Sequence, residues 1–206
     1  MSLTQKQTAD IAYQAWRSLA SQEVVVLADI NVSVLLQLDL GFFFGLDNAT
    51  APTGMQFIVQ KSYKTTGTDN WITVESIITG TAAATAIVTD GIEAIGSTVI
   101  ECGASVPAVG DEIFFKGGIT TESEIRAVKA RVITGGSETV TLREALTYAA
   151  AQGTYYTKAE KFARSYSTMG AARMRVILNN AYAASSPACC ARVDQSNLEG
   201  IKTVNP

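Results

Sequence analysis

The sequence predicts a mainly β protein: a β-sandwich with a small β-barrel inserted in it and a short N-terminal helix. Three observations carry that expectation. Between Ile30 and Leu40 every second residue is apolar, the signature of a strand with one buried face. The middle of the chain holds five short β-rich runs separated by glycines, the pattern of a closed or half-closed barrel. Only the first twenty or so residues show helical spacing.

Thr4 to Gln7 matches a capping box, and Ile11, Ala15, Trp16 and Leu19 recur at helical intervals. They predict one amphipathic helix over about Thr4 to Ser21, lying on a sheet or docking onto a neighbouring subunit. The period then switches to two. Ile30, Val32, Val34, Leu36, Leu38 and Leu40 form the first apolar stripe, and Gln56 to Tyr63 with Trp71 to Ile78 form a hairpin around a polar loop. The middle runs are Ser97 to Cys102, Glu112 to Lys116, Glu124 to Ile133, Glu138 to Leu142 and Thr154 to Thr157. Gly135-Gly136 is a tight-turn signal, since both residues tolerate positive φ, and Leu142 to Ala151 allows one helical turn. Alternation returns at Met174, Val176 and Leu178 and at Cys189, Ala191 and Val193. The expected organisation is a helix over 1–22, a sandwich over 23–86 plus 162–206, and the inserted barrel over 87–161.

Composition narrows the function. The chain has 206 residues, 47% of them hydrophobic and 17% charged, enough apolar content for a real core and too little charge for a disordered chain. There is no histidine, which excludes Ser-His-Asp, Cys-His and histidine-metal chemistry. Net charge −3 and a pI near 5.0 argue against a general nucleic-acid binder. The charge is uneven, −6 over residues 1–103 and +3 over 104–206, a polarity able to orient subunits or simply spread over solvated faces. The start has no apolar signal region and no stretch is long and uninterrupted enough for a membrane helix, so synthesis in a cytoplasm and no membrane partner are expected. Cys102, Cys189 and Cys190 lack metal-site or disulfide spacing, and no cofactor is expected.

Candidate chemistry is sparse. Asp111-Glu112 and Glu122-Ser-Glu124 place acids close in sequence, but glycosidase chemistry needs two carboxylates converging across a cleft. No phosphate-binding loop, dinucleotide fingerprint or nucleophile elbow occurs. Trp71 and Tyr155-Tyr156 are the aromatic clusters a sugar-binding site would use.

Phe42, Phe43 and Phe44 are the unusual feature, because consecutive residues of a strand point to opposite faces. Either both faces are covered within the fold or some rings meet a partner. The candidate interface residues are therefore Trp16 and Arg17 on the N-terminal helix, Phe42, Phe43 and Phe44, and Arg173 and Arg175, which alternate with apolar residues of a late strand.

Gln56 to Ser62 followed by Asp69 to Trp71, then Val109 to Lys116, Ser123 to Val128, Val140 to Leu142, Ala159 to Phe162 and Arg173 to Asn180, form a succession of blocks. In that order they resemble virion structural proteins of tailed bacteriophages. The resemblance implies a non-enzymatic particle subunit at the neck or connector of the head-tail junction or on the particle surface, made in the bacterial host cytoplasm. Its partners would be copies of itself, in a ring or lattice, and other virion proteins, with no specific nucleic-acid sequence. Two other classes remain open: a glycan- or receptor-binding β-sandwich and a carboxylate hydrolase.

Overall fold

The computed structural model describes residues 4–46, 54–67, 70–79, 86–88, 94–102, 107–116, 123–134, 137–149, 155–158, 160–181 and 188–199. Its regular elements are all antiparallel strands. β1 (Thr4–Ser18), β3 (Leu35–Leu46), β12 (Glu160–Ser167) and β14 (Ala188–Glu199) make one sheet in the order β1-β14-β3-β12. β2 (Val24–Asn31), β4 (Met55–Ser62), β5 (Ile72–Thr79) and β13 (Arg173–Asn180) make a second in the order β2-β13-β4-β5.

The pairings β1·β14, β2·β13, β3·β12 and β4·β5 are those of one long hairpin, folded at the β4–β5 end. Rolling that hairpin adds the pairings β14·β3 and β13·β4 and separates the strands into two facing sheets. This is the jelly roll, an eight-stranded double sheet.

Between β5 and β12 the chain builds a third sheet from β6 (Ala86–Val88), β7 (Val99–Cys102), β8 (Glu112–Lys116), β9 (Ser123–Thr134), β10 (Ser137–Leu142) and β11 (Tyr155–Lys158), in the order β6-β11-β8-β9-β10-β7. Among the described residues its edges β6 and β7 do not pair with each other, so it is a half-barrel. Ile100, Cys102, Ile113, Phe115, Val128, Val140 and Leu142 form its own core, and Leu146 from the loop after β10 caps it.

The sandwich core is set by β3. Phe42 and Phe44 point inward and are fully buried, with ring centroids 5.1 and 6.1 Å from that of Phe57 on β4. Each such ring contributes about 1.5–3 kcal/mol by burial. Leu38, Leu40, Val59, Met174, Val176, Leu178, Ala191 and Val193 complete the layer between the sheets. Phe43 points the other way, toward Phe114 and Ile125 of the half-barrel and Cys190 of β14. The first sheet is thus covered on both faces, by the sandwich core and by the half-barrel, whereas among the described residues no further sheet is layered on the outer face of β2-β13-β4-β5.

The structure corrects three expectations. The N-terminal segment is the strand β1, not a helix. Its pairing with β14 shifts register between Thr8 and Ala12 and between Gln14 and Arg17. Each irregularity moves the apolar positions out of period two and gives them an apparent helical spacing. The stripe from Ile30 to Leu40 is two strands, because Asn31 accepts hydrogen bonds from Ser33 N (3.0 Å) and Oγ (2.7 Å) and turns the chain there. Residues 142–149 hold bends and no helical turn. The β4–β5 hairpin lies where the alternation put it, and β9 pairs with β10 on either side of Gly135-Gly136; Gly135-Gly136 and Ser185 to Pro187 themselves lie outside the described residues.

A Cβ at Gly45 would stand 2.8 Å from Phe114 Cδ2 and 3.1 Å from Cys190 Sγ, both on buried side chains, whereas one at Gly41 meets nothing closer than 3.5 Å. Gly45→Ala is therefore expected to lower stability in urea unfolding by about 1–3 kcal/mol, with Gly41→Ala close to wild type.

Candidate functional site

The outer face of the second sheet, whose cross-strand rows are buried only at Ile177 and Ser62, gathers aliphatic, cationic and aromatic side chains. Cross-strand register arranges it in rows. Val24, Asn179, Gln56 and Ile78 form one, and Val26, Ile177, Ile58 and Ser76 the next. Val24, Val26 and Ile78 are more than half exposed. Beyond a register shift, Asp29, Arg175, Gln60 and Thr73 form a polar row, followed by Asn31, Arg173 and Ser62. One half of the face mixes aliphatic side chains with Asn179, Gln56 and Ser76, and the other is cationic and aromatic.

Trp71 organises the polar half. The Arg175 guanidinium lies 4.3 Å from its ring centroid and that of Arg173 5.3 Å away, both within cation–π range. Arg173 donates Nε (3.0 Å) and Nη2 to the two oxygens of Asp29, a bidentate pair. Arg175 Nε donates to Gln60 Oε1 at 2.7 Å, and Gln60 Nε2 donates onward to Thr73 Oγ1 at 3.1 Å. Partial burial is the main influence on Arg175 and lowers its pKa from the ordinary arginine value; Asp29 opposes this and the like charge of Arg173 reinforces it. A shallow groove lined by Asp29, Asn31, Thr65, Thr66, Gly67 and Arg173 adjoins the pair.

The other sequence candidates are placed as follows. The rings of Phe42, Phe43 and Phe44 are all engaged within the chain, and Arg192 lies 4.2 Å over Phe43. Arg17 stands opposite Cys189 in the β1–β14 register, and Trp16 falls at the irregularity beside it. The structure thus brings together Arg173 and Arg175 and separates them from the phenylalanine triple, which belongs to the other sheet. The partner that sequence reading did not join to the arginines is Trp71; the polar loop 64–70 and alternation in β13 contain the signal, but only pairing of β13 with β4 reveals it.

Among the described residues the candidate acids do not converge on a cleft, and Glu122 lies outside them. Glu124 is buried beneath the loop after β10, where it accepts from Thr147 N (3.0 Å), Thr147 Oγ1 (2.7 Å) and Tyr148 N (3.2 Å) and pairs with Arg126 at 2.5 Å. Arg126 Nε donates to Ala145 O at 3.0 Å. The carboxylate is thereby a clasp that closes the loop over the half-barrel. Asp111 accepts from Ala108 N in a turn at 2.9 Å. Among the described residues no three acidic or cysteine side chains are grouped so as to hold a metal ion, and no helix is long and apolar enough to cross a membrane.

Where the sandwich sheets meet, Glu75 of β5 accepts from Arg164 Nε (2.9 Å) and Tyr166 Oη (2.8 Å) of β12. The Arg164 hydrogen bond is the main reason that Glu75 stays below the usual carboxylate range; partial burial opposes it and Tyr166 adds to it. Burial, then the bond to Glu75, pushes the Tyr166 phenol far up, so it remains a donor. This contact and the Asp29–Arg173 pair join acids of the early strands to bases of the late ones. The charge difference between the halves of the sequence is partly taken up inside the jelly roll.

No protein-family model matches the chain, and no curated protein matches it. Solved structures similar to it include that of infectious bursal disease virus Gx strain, at 10% identity and TM-score 0.22 over 96% of this chain and 40% of that one. Others are VP17, a capsid protein of bacteriophage P23-77 (12%, TM-score 0.18, 95% and 97% covered), and the VP16-VP17 complex of the two major capsid proteins of the same phage (11%, 0.20, 96% and 100%). The chain spans about two fifths of the length of the bursal disease virus chain. Likeness at this level carries no argument, and the functional reading rests on the chain's own topology and surfaces.

Two outcomes are expected. Glu124→Ala, which strands Arg126 beneath the loop, should cost about 3–5 kcal/mol in chemical unfolding. For Glu75, whose folded pKa is depressed, the stabilising contribution is present above the ordinary glutamate pKa and is lost as pH falls through the lower folded value. Wild type should exceed Glu75→Gln in thermal stability at neutral pH, and the two should converge in acid; salt should shrink the gap.

Proposed function

We propose that this chain is a non-enzymatic structural subunit of a virion that associates with copies of itself and other virion proteins. The observation that carries the reading is the jelly roll with a half-barrel layered on one of its faces. Jelly rolls serve as viral capsid domains, lectins and cupins, so the step from fold to role is an analogy that the surfaces must narrow. A histidine-based cupin metal site has no ligands in a chain without histidine. A lectin reading built on Trp71 meets a ring already stacked by two guanidiniums. A hydrolase reading meets Glu124 and Asp111 committed to backbone contacts.

The strand edges favour assembly through faces. β1 carries two register shifts, β2 faces one in its pairing with β13, β5 turns Glu75 toward β12, and β12 carries Glu160, Lys161 and Arg164. Irregularities and charges of this kind suppress edge-to-edge pairing. The narrower role at a tailed-phage neck or connector is supported by the succession of sequence blocks alone.

The purified protein at micromolar concentration should form rings or a closed or sheet-like lattice by mass photometry and electron microscopy. Monomer alone, at every concentration and salt tested, contradicts the proposal. Saturable glycan binding lost on Trp71→Ala would favour the binding-module alternative.

A further inference from the structure

We infer that the corner of the second sheet built on Trp71 binds a small polar phosphate or carboxylate compound, its oxyanion on the free end of Arg175 and its polar body in the groove beside Arg173. The inference concerns a ligand of the subunit and does not depend on the assembly reading.

Two guanidiniums share one ring, and only one of them is spent. Arg173 gives Nε and Nη2 to Asp29 and Nη1 to Gly67 O at 3.3 Å. Among the described residues Arg175 makes one hydrogen bond, from Nε to Gln60, and its two terminal nitrogens have no acceptor. They form a fork that matches two oxygens of a phosphate or a carboxylate. Asp29 stands opposite Arg175 in the register, but both its oxygens serve Arg173, so the cluster keeps one positive charge in excess. Partial burial and the like charge of Arg173 depress the pKa of Arg175 against the pull of Asp29, as expected of a cation short of a counter-charge.

The fork is also held still. Trp71 backs it at 4.3 Å, and Gln60, itself tied to Thr73, fixes its Nε edge. An arriving anion therefore has little arginine motion left to freeze.

The groove selects what carries the anion. Its volume of about 610 Å³ is that of a small-molecule site. Thr65 and Thr66 supply hydroxyls and Asn31 an amide, and no aromatic or aliphatic residue lines it, so it suits a hydroxylated body and not an apolar one. Trp71 here backs an arginine and is not a platform for the ligand. A nucleic acid would need a row of cations along its phosphates, and the next two rows of the sheet, from Val24 to Ile78 and from Val26 to Ser76, hold no charge.

The test is isothermal titration calorimetry at constant ionic strength with glycerol 3-phosphate, glycerate, glycerol and inorganic phosphate, and circular dichroism to verify folding. The first two share a skeleton and differ in the oxyanion, so they tell a phosphate ligand from a carboxylate one. At least one of them should bind saturably and about tenfold or more tighter than glycerol. Arg175→Lys, which keeps the charge and loses the fork, should weaken that binding about tenfold. Thr65→Val combined with Thr66→Val, both at exposed positions, should remove the advantage of glycerol 3-phosphate over inorganic phosphate. The inference is overturned if neither anion binds better than glycerol, or if both folded variants bind as wild type does. It is equally wrong if a short labelled DNA duplex binds through Arg175 while the small anions do not.

Discussion

Everything in this structure depends on the last two described strands being central rather than peripheral. β14 lies between β1 and β3, and β13 between β2 and β4, so the late chain is wedged between early strands in both sheets. Thr4 stands opposite Glu199, which means that the described ends of the chain are hydrogen-bonded neighbours. Remove that insertion and each sheet falls into a lone strand and a two-stranded pair, and even the pair is marginal in water by itself. The apolar layer between the sheets exists because the wedge brings Met174, Val176, Leu178, Ala191 and Val193 against Phe42, Phe44 and Phe57. Pairings of such long sequence separation are slow to form, so the loop-closure cost must be met late, by that buried layer.

The same topology distributes the surface. Rolling the hairpin leaves two broad faces, and the half-barrel takes one of them through Phe43, Phe114, Ile125 and Cys190, with Gly45 supplying the space. The remaining face inherits Asp29 from β2, Arg173 and Arg175 from β13 and Gln60 from β4, while Trp71 enters from the loop before β5. Residues scattered over roughly 150 positions of sequence become one network because β13 is a neighbour of both β2 and β4.

Much of this was legible from the residues. Alternation located β4, β5, β13 and β14, and the glycine-separated runs located five of the six half-barrel strands, all but β6, because a one-sided strand must repeat every two residues. The phenylalanine triple required cover on both faces, from within the fold or from a partner, and the structure supplies cover to both within the chain. What sequence could not show was pairing. β1 carries helical spacing because its register shifts disguise the period, and β12, with Lys161 and Arg164 on a sheet edge, carries only weak alternation. Arg173 and Arg175 were visible as outward residues of a strand, but their joint stacking on Trp71 is a tertiary fact. Glu124, grouped by sequence with Glu122 as an acid pair, is a loop clasp, and no spacing rule distinguishes the two roles.

The central claim is the wedge, and backbone NOEs across β14 in isotope-labelled protein test it most directly. Val193 should show cross-strand contacts to Ala12 on one side and to Phe42 on the other, as the register requires. A helical pattern of sequential contacts over residues 4–18, or a β14 with a neighbour on only one side, would contradict the jelly roll and the account built on it.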